Sequence, residues 1–357
     1  MTKRLPANLL TPINSSSIPM DSRERVLATV KCQVTDRVPT DFQAEAPTLE
    51  AIYRYVGHRD IDTLLDQFDV DIRHIDATWP EDQHFDGYYQ NSWGERFAVK
   101  QTEFGPVSEH LLGPLAEAQT LDDIKNFSWP TVDMLDYSAI PTLCDKYEGR
   151  AIGYGFADFW IRPSMVRGME NFLADLGTHP EFCHYLADLF TAFYIEDYRL
   201  AFKASGGRID IFQVYTDLGT QSGPLISKKM FREFVKPYIK RFADAVHEMG
   251  AYLFFHSCGQ IRSFIGELID AGVDIVNPIQ PCAPEMAPEE LHKEFGNRVC
   301  FHGGISVQGV LSHGTPEDVR REVERYGQAF EQRGYIVSAS HFYQLDNKIE
   351  NIFAVYQ

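Results

Sequence analysis

His256 and Cys258 stand two apart in the run H-S-C-G, where an apolar stretch, A-Y-L-F-F-H (251–256), gives way to a glycine. Residues i and i+2 at a strand end project to the same side, so the pair offers an imidazole and a thiol to one space. Zinc takes such ligands at about 2.0–2.3 Å, so the pair is half of a zinc site. The bland alternative is a buried cysteine beside a hydrogen-bonded histidine. His341 ends another apolar run, Y-I-V-S-A-S (335–340). Where both run ends open on one mouth, His341 supplies a third ligand and leaves a fourth position for substrate, as in catalytic zinc sites. Without a metal, His341 serves instead as a general acid or a hydrogen-bond donor. Asp217 and Glu45 are the acids that could complete the shell or act as a base. A substrate-gripping turn, D-L-G-T-Q (217–221), is the competing use of Asp217.

The elements that must position these residues alternate along the chain. Short runs rich in β-branched and aromatic residues occur at 38–42, 70–76, 151–156, 209–216, 251–256, 274–279, 299–305 and 335–340. Helical patterns fill most of the gaps. Residues 228–249 place Met230, Phe234, Tyr238 and Phe242 four apart and end at Gly250, with Pro237 predicting a kink or two helices. Asp21–Ser22 is placed to cap a first helix, and Thr315-Pro316 opens another. Eight strands alternating with helices predict an α/β fold, a single (β/α)8 TIM barrel. The Gly-, Tyr- and Trp-rich stretch 80–115 reads as an inserted β-hairpin after the second strand. Residues 1–20 form a polar N-terminal arm, and 21–357 the barrel.

In such a barrel the active site lies at the C-terminal ends of the strands. Those ends offer Gln43 and Glu45; His74 and Asp76; Asp158; Tyr215 and Asp217; His256 and Cys258; Asn277 and Gln280; His302; and His341. His256, Cys258 and His341 are assigned to the metal, and Asp76, Asp217 and His341 to catalysis. Tyr215, Asn277, Gln280, His302 and Gly303 are assigned to cofactor binding. The H-G-G-I turn (302–305) lets backbone approach a ligand closely, though no G-x-G-x-x-G or Walker pattern accompanies it. No G-x-S-x-G elbow is present, which disfavours a serine hydrolase. The aromatic residues, Trp93 and Trp129 among them, read as core and rim packing.

Composition sets the outer limits. Of 357 residues 44% are apolar, enough for a substantial core, and the net charge of −18 argues against nucleic acid or an anionic membrane as partner. The six cysteines show no paired spacing, and neither a signal-peptide h-region nor a spanning apolar stretch is present. The expectation is a reduced, cytoplasmic enzyme acting on a small-molecule substrate. A homodimer, its arms ordered by the partner subunit, is consistent with the polar N-terminus.

Read in order, R-E-R-V-L-A with D-R-V-P (36–39), W-G-E-R-F (93–97), R-G-M-E-N-F (167–172), H-S-C-G-Q-I (256–261), G-V-D-I-V-N-P-I-Q (272–280), F-H-G-G-I-S-V-Q (301–308) and H-F-Y-Q-L-D-N-K-I-E-N (341–351) form a set. From about residue 20 to 355 the chain resembles the uroporphyrinogen decarboxylase superfamily. That superfamily also contains the corrinoid-linked methyltransferases, such as methylcobamide:coenzyme M methyltransferase. The resemblance implies a (β/α)8 barrel, frequent dimers, and one of two sites. The methyltransferase branch binds zinc through H-x-C and a cysteine nine residues before an E-N pair. Here H-x-C is present, but His341 stands nine before Glu350-Asn351. The decarboxylase branch has histidine at that place, no H-x-C, and an arginine-rich M-R-Q-A-G-R motif for its substrate's carboxylates. This chain reads D-F-Q-A-E-A-P there, with Glu45 near the arginines' place, and Asp76 falls about where that branch keeps a catalytic aspartate. The turn G-F-A-D-F-W (155–160) departs from the superfamily's G-P-F-T-L-A.

A substrate with eight carboxylates fits poorly in such a site on so acidic a chain. The leading expectation is a zinc-dependent methyltransferase that acts with a corrinoid, its carrier protein, or a small methyl donor or acceptor. Exchanging the usual second cysteine for His341 removes a negative charge and makes the metal a stronger Lewis acid. The alternatives are a lyase or decarboxylase using Asp76 and His341, and a non-catalytic corrinoid-binding barrel.

Overall fold

The computed structural model describes residues 19–102 and 105–357, so the expected arm, 1–20, lies outside the described residues but for its last two. Among the described residues, eleven strands form two sheets. β1 (Ile72–Ile75) begins the main sheet, and β2 (Gln83–Phe85), β3 (Tyr88–Gln90), β4 (Arg96–Thr102) and β5 (Gly105–Leu112) make a separate antiparallel one. The main sheet continues with β6 (Ala151–Ala157), β7 (Ile211–Tyr215), β8 (Tyr252–His256), β9 (Ile275–Asn277), β10 (Cys300–His302) and β11 (Tyr335–Ile336). These seven pair in parallel in the order β1-β6-β7-β8-β9-β10-β11.

Two expectations need correction. The eight-stranded closed barrel is, as a regular ladder, a curled parallel sheet of seven strands, open between β1 and β11. The run 38–42 lies in that opening without forming a strand. It makes a single parallel bridge, Thr40 to Val337, and Asp71 N donates to Thr40 O at 3.0 Å. Pro39 has no N–H to give a ladder, and the Asp41 side chain is turned inward among histidines. The single hairpin expected within 80–115 is instead a four-stranded antiparallel sheet, β2-β3-β4-β5.

Helices cover the outer face through local signals visible in the sequence. Asp21 and Glu24 form a capping box on the helix Ser22–Val30, and Thr315 and Asp318 do the same for Pro316–Ala329. Around Pro237 the stretch 228–249 breaks into two helices, Lys228–Phe234 and Lys236–Glu248, separated by Val235. The long helix Pro180–Ala204 buries Phe182, Leu186, Phe190 and Tyr194, four apart, in the main apolar core.

The inner face decides where the chemistry sits. Side chains two apart on a strand share a face, and here the lower member of each pair is apolar and the upper polar. Ile72, Ile211, Phe254, Ile275 and Cys300 belong to one buried apolar cluster. Two residues on from each stand His74, Gln213, His256, Asn277 and His302. Register aligns Tyr215, His256 and Asn277 as direct neighbours across β7, β8 and β9. An apolar floor thus carries a polar layer at the C-terminal strand ends.

Candidate metal centre and active site

His256 closes β8, and the chain leaves the strand through Ser257 and Cys258. Cys258 Sγ comes 3.3 Å from His256 Nε2. One donor atom each of His256, Cys258 and His341 lies within 4.8 Å of the others. The two imidazoles meet edge to face, ring centres 5.9 Å apart. Asp217, at the end of β7, accepts the Cys258 N–H at 2.8 Å and reaches within 3.6 Å of His256 Nε2. Glu45 is exposed at the start of the helix Ala46–Val56 and is not part of this group.

The Cys258 loop is held closely. Gly259 has φ +85°, and a Cβ there would stand 2.5 Å from the backbone of Gly219. Its N–H donates to Gln280 Oε1 at 2.6 Å. Gln280 therefore positions the loop. Gly303 (φ +71°) is required by its own neighbours, since a Cβ would fall 2.4 Å from Ala339 O.

A chain of hydrogen bonds fixes the ring of His256. Its origin is Asp41, whose carboxylate can only accept. His302 Nε2 and His74 Nε2 each donate to it at 2.9 Å. With its proton on Nε2, His302 presents Nδ1 as acceptor, and Asn277 Nδ2 donates to it at 2.7 Å. Asn277 Oδ1 then faces His256 Nδ1 at 2.5 Å and accepts a hydrogen bond from its N–H. His256 Nε2 is left with its lone pair toward Cys258 and the opening, as a metal ligand requires. His302 is 2% exposed with both ring nitrogens engaged, which places it beneath the opening rather than at it.

The electrostatics follow the same geometry. Burial resists charge on Asp41, yet His74 and His302 hold its carboxyl far below the usual range. Burial lowers His74, but Asp41 outweighs it and the net shift is upward. Burial pushes His256 down to about 4, so its ring is neutral at neutral pH. Burial and the nearby Asp217 raise the Cys258 thiol. A bound cation inverts that last effect, since coordination favours the thiolate.

Tyr215 packs beneath, its ring 4.9 Å from that of His256, with Phe156 stacked on it at 4.0 Å and Gln43 Nε2 donating to its hydroxyl at 3.1 Å. Asp76, beyond Phe156, accepts from Gly155 N at 3.1 Å; solvent reaches it, but the protein crowds it and raises its carboxyl. Asp158 is taken by structure. It accepts from the backbone of Trp160, Ile161 and Arg162, and burial brings it to about 6. Asp41 and Gln213 were not among the expected site residues. An acid inside the apolar run V-P-T-D-F was the available signal for the first.

A parallel sheet with a polar layer at its strand ends, under a His/Cys/His cluster, defines an α/β protein of the barrel-like class. The model of the family uroporphyrinogen decarboxylase (URO-D) matches residues 96–357, and the chain belongs to that family. A methyltransferase from Methanosarcina mazei is 15% identical, with a TM-score of 0.68 over 94% of this chain and 97% of its own, which is a likeness of fold. A dihydropteroate synthase from Xanthomonas albilineans is 17% identical over 53% of this chain and 60% of its own, at a TM-score of 0.33 too low to bear on either fold or function. No curated protein matches the chain by sequence. Among the described residues, no helix is long and apolar enough to cross a membrane.

Proposed function

We propose that this protein is a zinc-dependent methyltransferase acting with a corrinoid or another small methyl donor and a small acceptor. The observation that carries the reading is the convergence of His256, Cys258 and His341. The donor set fits zinc: two imidazoles and a thiol are its usual ligands, and three protein ligands leave a position for substrate. Hard cations such as magnesium prefer oxygen. When bound, zinc supplies Lewis acidity, lowering the pKa of an acceptor thiol or polarising an oxygen or nitrogen ligand.

The chain's own residues prepare that position. Asn277 orients His256, Gln280 holds the loop of Cys258, and Asp217 secures the Cys258 N–H. Asp217 is about half exposed (48%) toward the opening, and we assign it the proton released by the acceptor. Tyr215 and Phe156 form an apolar wall beside the cluster, which excludes water from one side. The test is to mix the zinc-loaded protein with methylcobalamin and a small thiol and follow cobalamin absorbance. Methyl transfer leaves the Co–C electron pair on cobalt and changes the spectrum, and Cys258→Ala abolishes the change. An unchanged spectrum with loaded wild-type protein contradicts methyl transfer from the corrinoid to a thiol.

A lyase using Asp76 and His341 is the second reading. The place of Asp76 on a cavity wall, with its carboxyl shifted upward by the crowding around it, favours it. A metal-free preparation that releases carbon dioxide from a candidate acid, and loses this with Asp76→Asn, would select it.

A further inference from the structure

A cavity of about 330 Å³ opens beside β1 and β6, roofed in part by the loop joining β3 to β4. Its walls combine two kinds of group. Trp79 and Phe156 supply ring surface, with Trp93 and Tyr154 nearly buried behind them, and Asp76, Asp82 and Asp197 supply carboxylates. Several rings are braced from behind. Trp93 stacks on Phe190 at 4.3 Å, Trp79 on Phe193 at 5.6 Å, and Phe156 on Tyr215 at 4.0 Å while remaining 48% exposed.

The charge balance of the cavity is negative. Among the described residues its one cationic side chain, Arg162, is paired with the buried Glu95 at 2.9 Å, so it offers no net positive charge. The carboxylates have no such partner among the described residues. Asp76 accepts only the Gly155 N–H, and Asp197 accepts the hydroxyls of Tyr137 (2.9 Å) and Tyr154 (2.7 Å). Anions are therefore repelled, and a neutral apolar molecule would leave two crowded carboxylates unmatched. Aromatic faces beside uncompensated carboxylates attract a cation with apolar substituents through the ring quadrupole and through charge together.

We propose that this cavity is a binding site for a small organic cation, an alkylated ammonium whose methyl groups lie against the rings and whose charge is met by Asp76. Crowding by the protein raises Asp76, a shift that His74 only partly offsets, and burial brings Asp197 to about 6. Two stacked rings, Phe156 and Tyr215, separate the cavity from the His256 cluster. Binding does not require the metal, and the site stands apart from the methyl-transfer reading.

The experiment is calorimetric titration of the full chain with choline, with tetramethylammonium, and with 3,3-dimethyl-1-butanol, the neutral isostere of choline. Each titration is run on zinc-loaded and on metal-stripped protein. Choline is expected to bind at least tenfold more tightly than its isostere in both forms. Asp76→Asn is expected to remove that preference while leaving the isostere's affinity unchanged. Phe156→Leu, at an exposed position, is expected to weaken choline several-fold and decides the matter should Asp76→Asn not fold. Equal affinities for choline and its isostere, a preference untouched by both substitutions, or no binding of either cation overturns the proposal. Failure of methyl transfer with cation binding intact would overturn only the methyltransferase reading.

Discussion

Replacing Asn277 by alanine tests whether the inner polar layer prepares the metal ligand. Asn277 is buried and makes two side-chain hydrogen bonds that matter, accepting from His256 Nδ1 at 2.5 Å and donating to His302 Nδ1 at 2.7 Å. The substitution leaves His256 free to carry its proton on either nitrogen and to turn about its side-chain bonds. Loss of such an outer-shell partner weakens metal binding about 10–100-fold. At about 1.4 kcal/mol per tenfold, that is roughly 1.4–2.7 kcal/mol of binding energy. Two buried groups also lose a partner, at about 1–3 kcal/mol each, so global stability falls as well. Competition with a chromophoric zinc chelator measures the affinity, at a temperature where circular dichroism shows the variant folded. An affinity within twofold of wild type, under conditions where Cys258→Ala binds no zinc, would refute the reasoning.

Other predictions follow from the same geometry. Gly259→Ala forces a side chain at φ +85° against the backbone of Gly219. It is expected to cost about 1–3 kcal/mol, read as a lower denaturation midpoint at unchanged m-value; an unshifted midpoint would mean the loop is free to move. The Asp41 pair predicts two limbs of stability against pH. The carboxyl of Asp41 is depressed in the fold, so its contribution is complete above the unfolded value of about 3.9 and fades as pH falls below it. His74 is raised, so its contribution is complete below about 6.5 and is lost as pH rises through the folded value. Asp41→Asn should flatten both limbs in urea unfolding across pH, and parallel profiles for the two proteins would contradict the assignment.

What the sequence disclosed and what it concealed divide along the range of the interactions. The capping boxes at Asp21 and Thr315 and the break at Pro237 are written within a few residues, and the structure has them. Seven of the eight expected strand runs form regular strands. The eighth, 38–42, has apolar character, but Pro39 lacks an N–H for a ladder, and the run pairs with Val337 through a single bridge. The antiparallel sheet β2-β3-β4-β5 was underestimated because its strands are exposed or half-exposed and lack a repeating apolar face. His256 and Cys258 announce themselves by spacing, and His341 joins them in space. The path from Asp41 through His302 and Asn277 to His256 joins residues up to 261 positions apart, and no local pattern encodes it.

The most direct test of the central claim is the metal content of the purified full chain after zinc loading and removal of free metal. Stoichiometric zinc in the wild-type protein, reduced sharply in both Cys258→Ala and His341→Ala, is the predicted result. A folded wild-type protein that retains no zinc, or a zinc content unchanged by Cys258→Ala, would contradict a metal centre built on His256, Cys258 and His341.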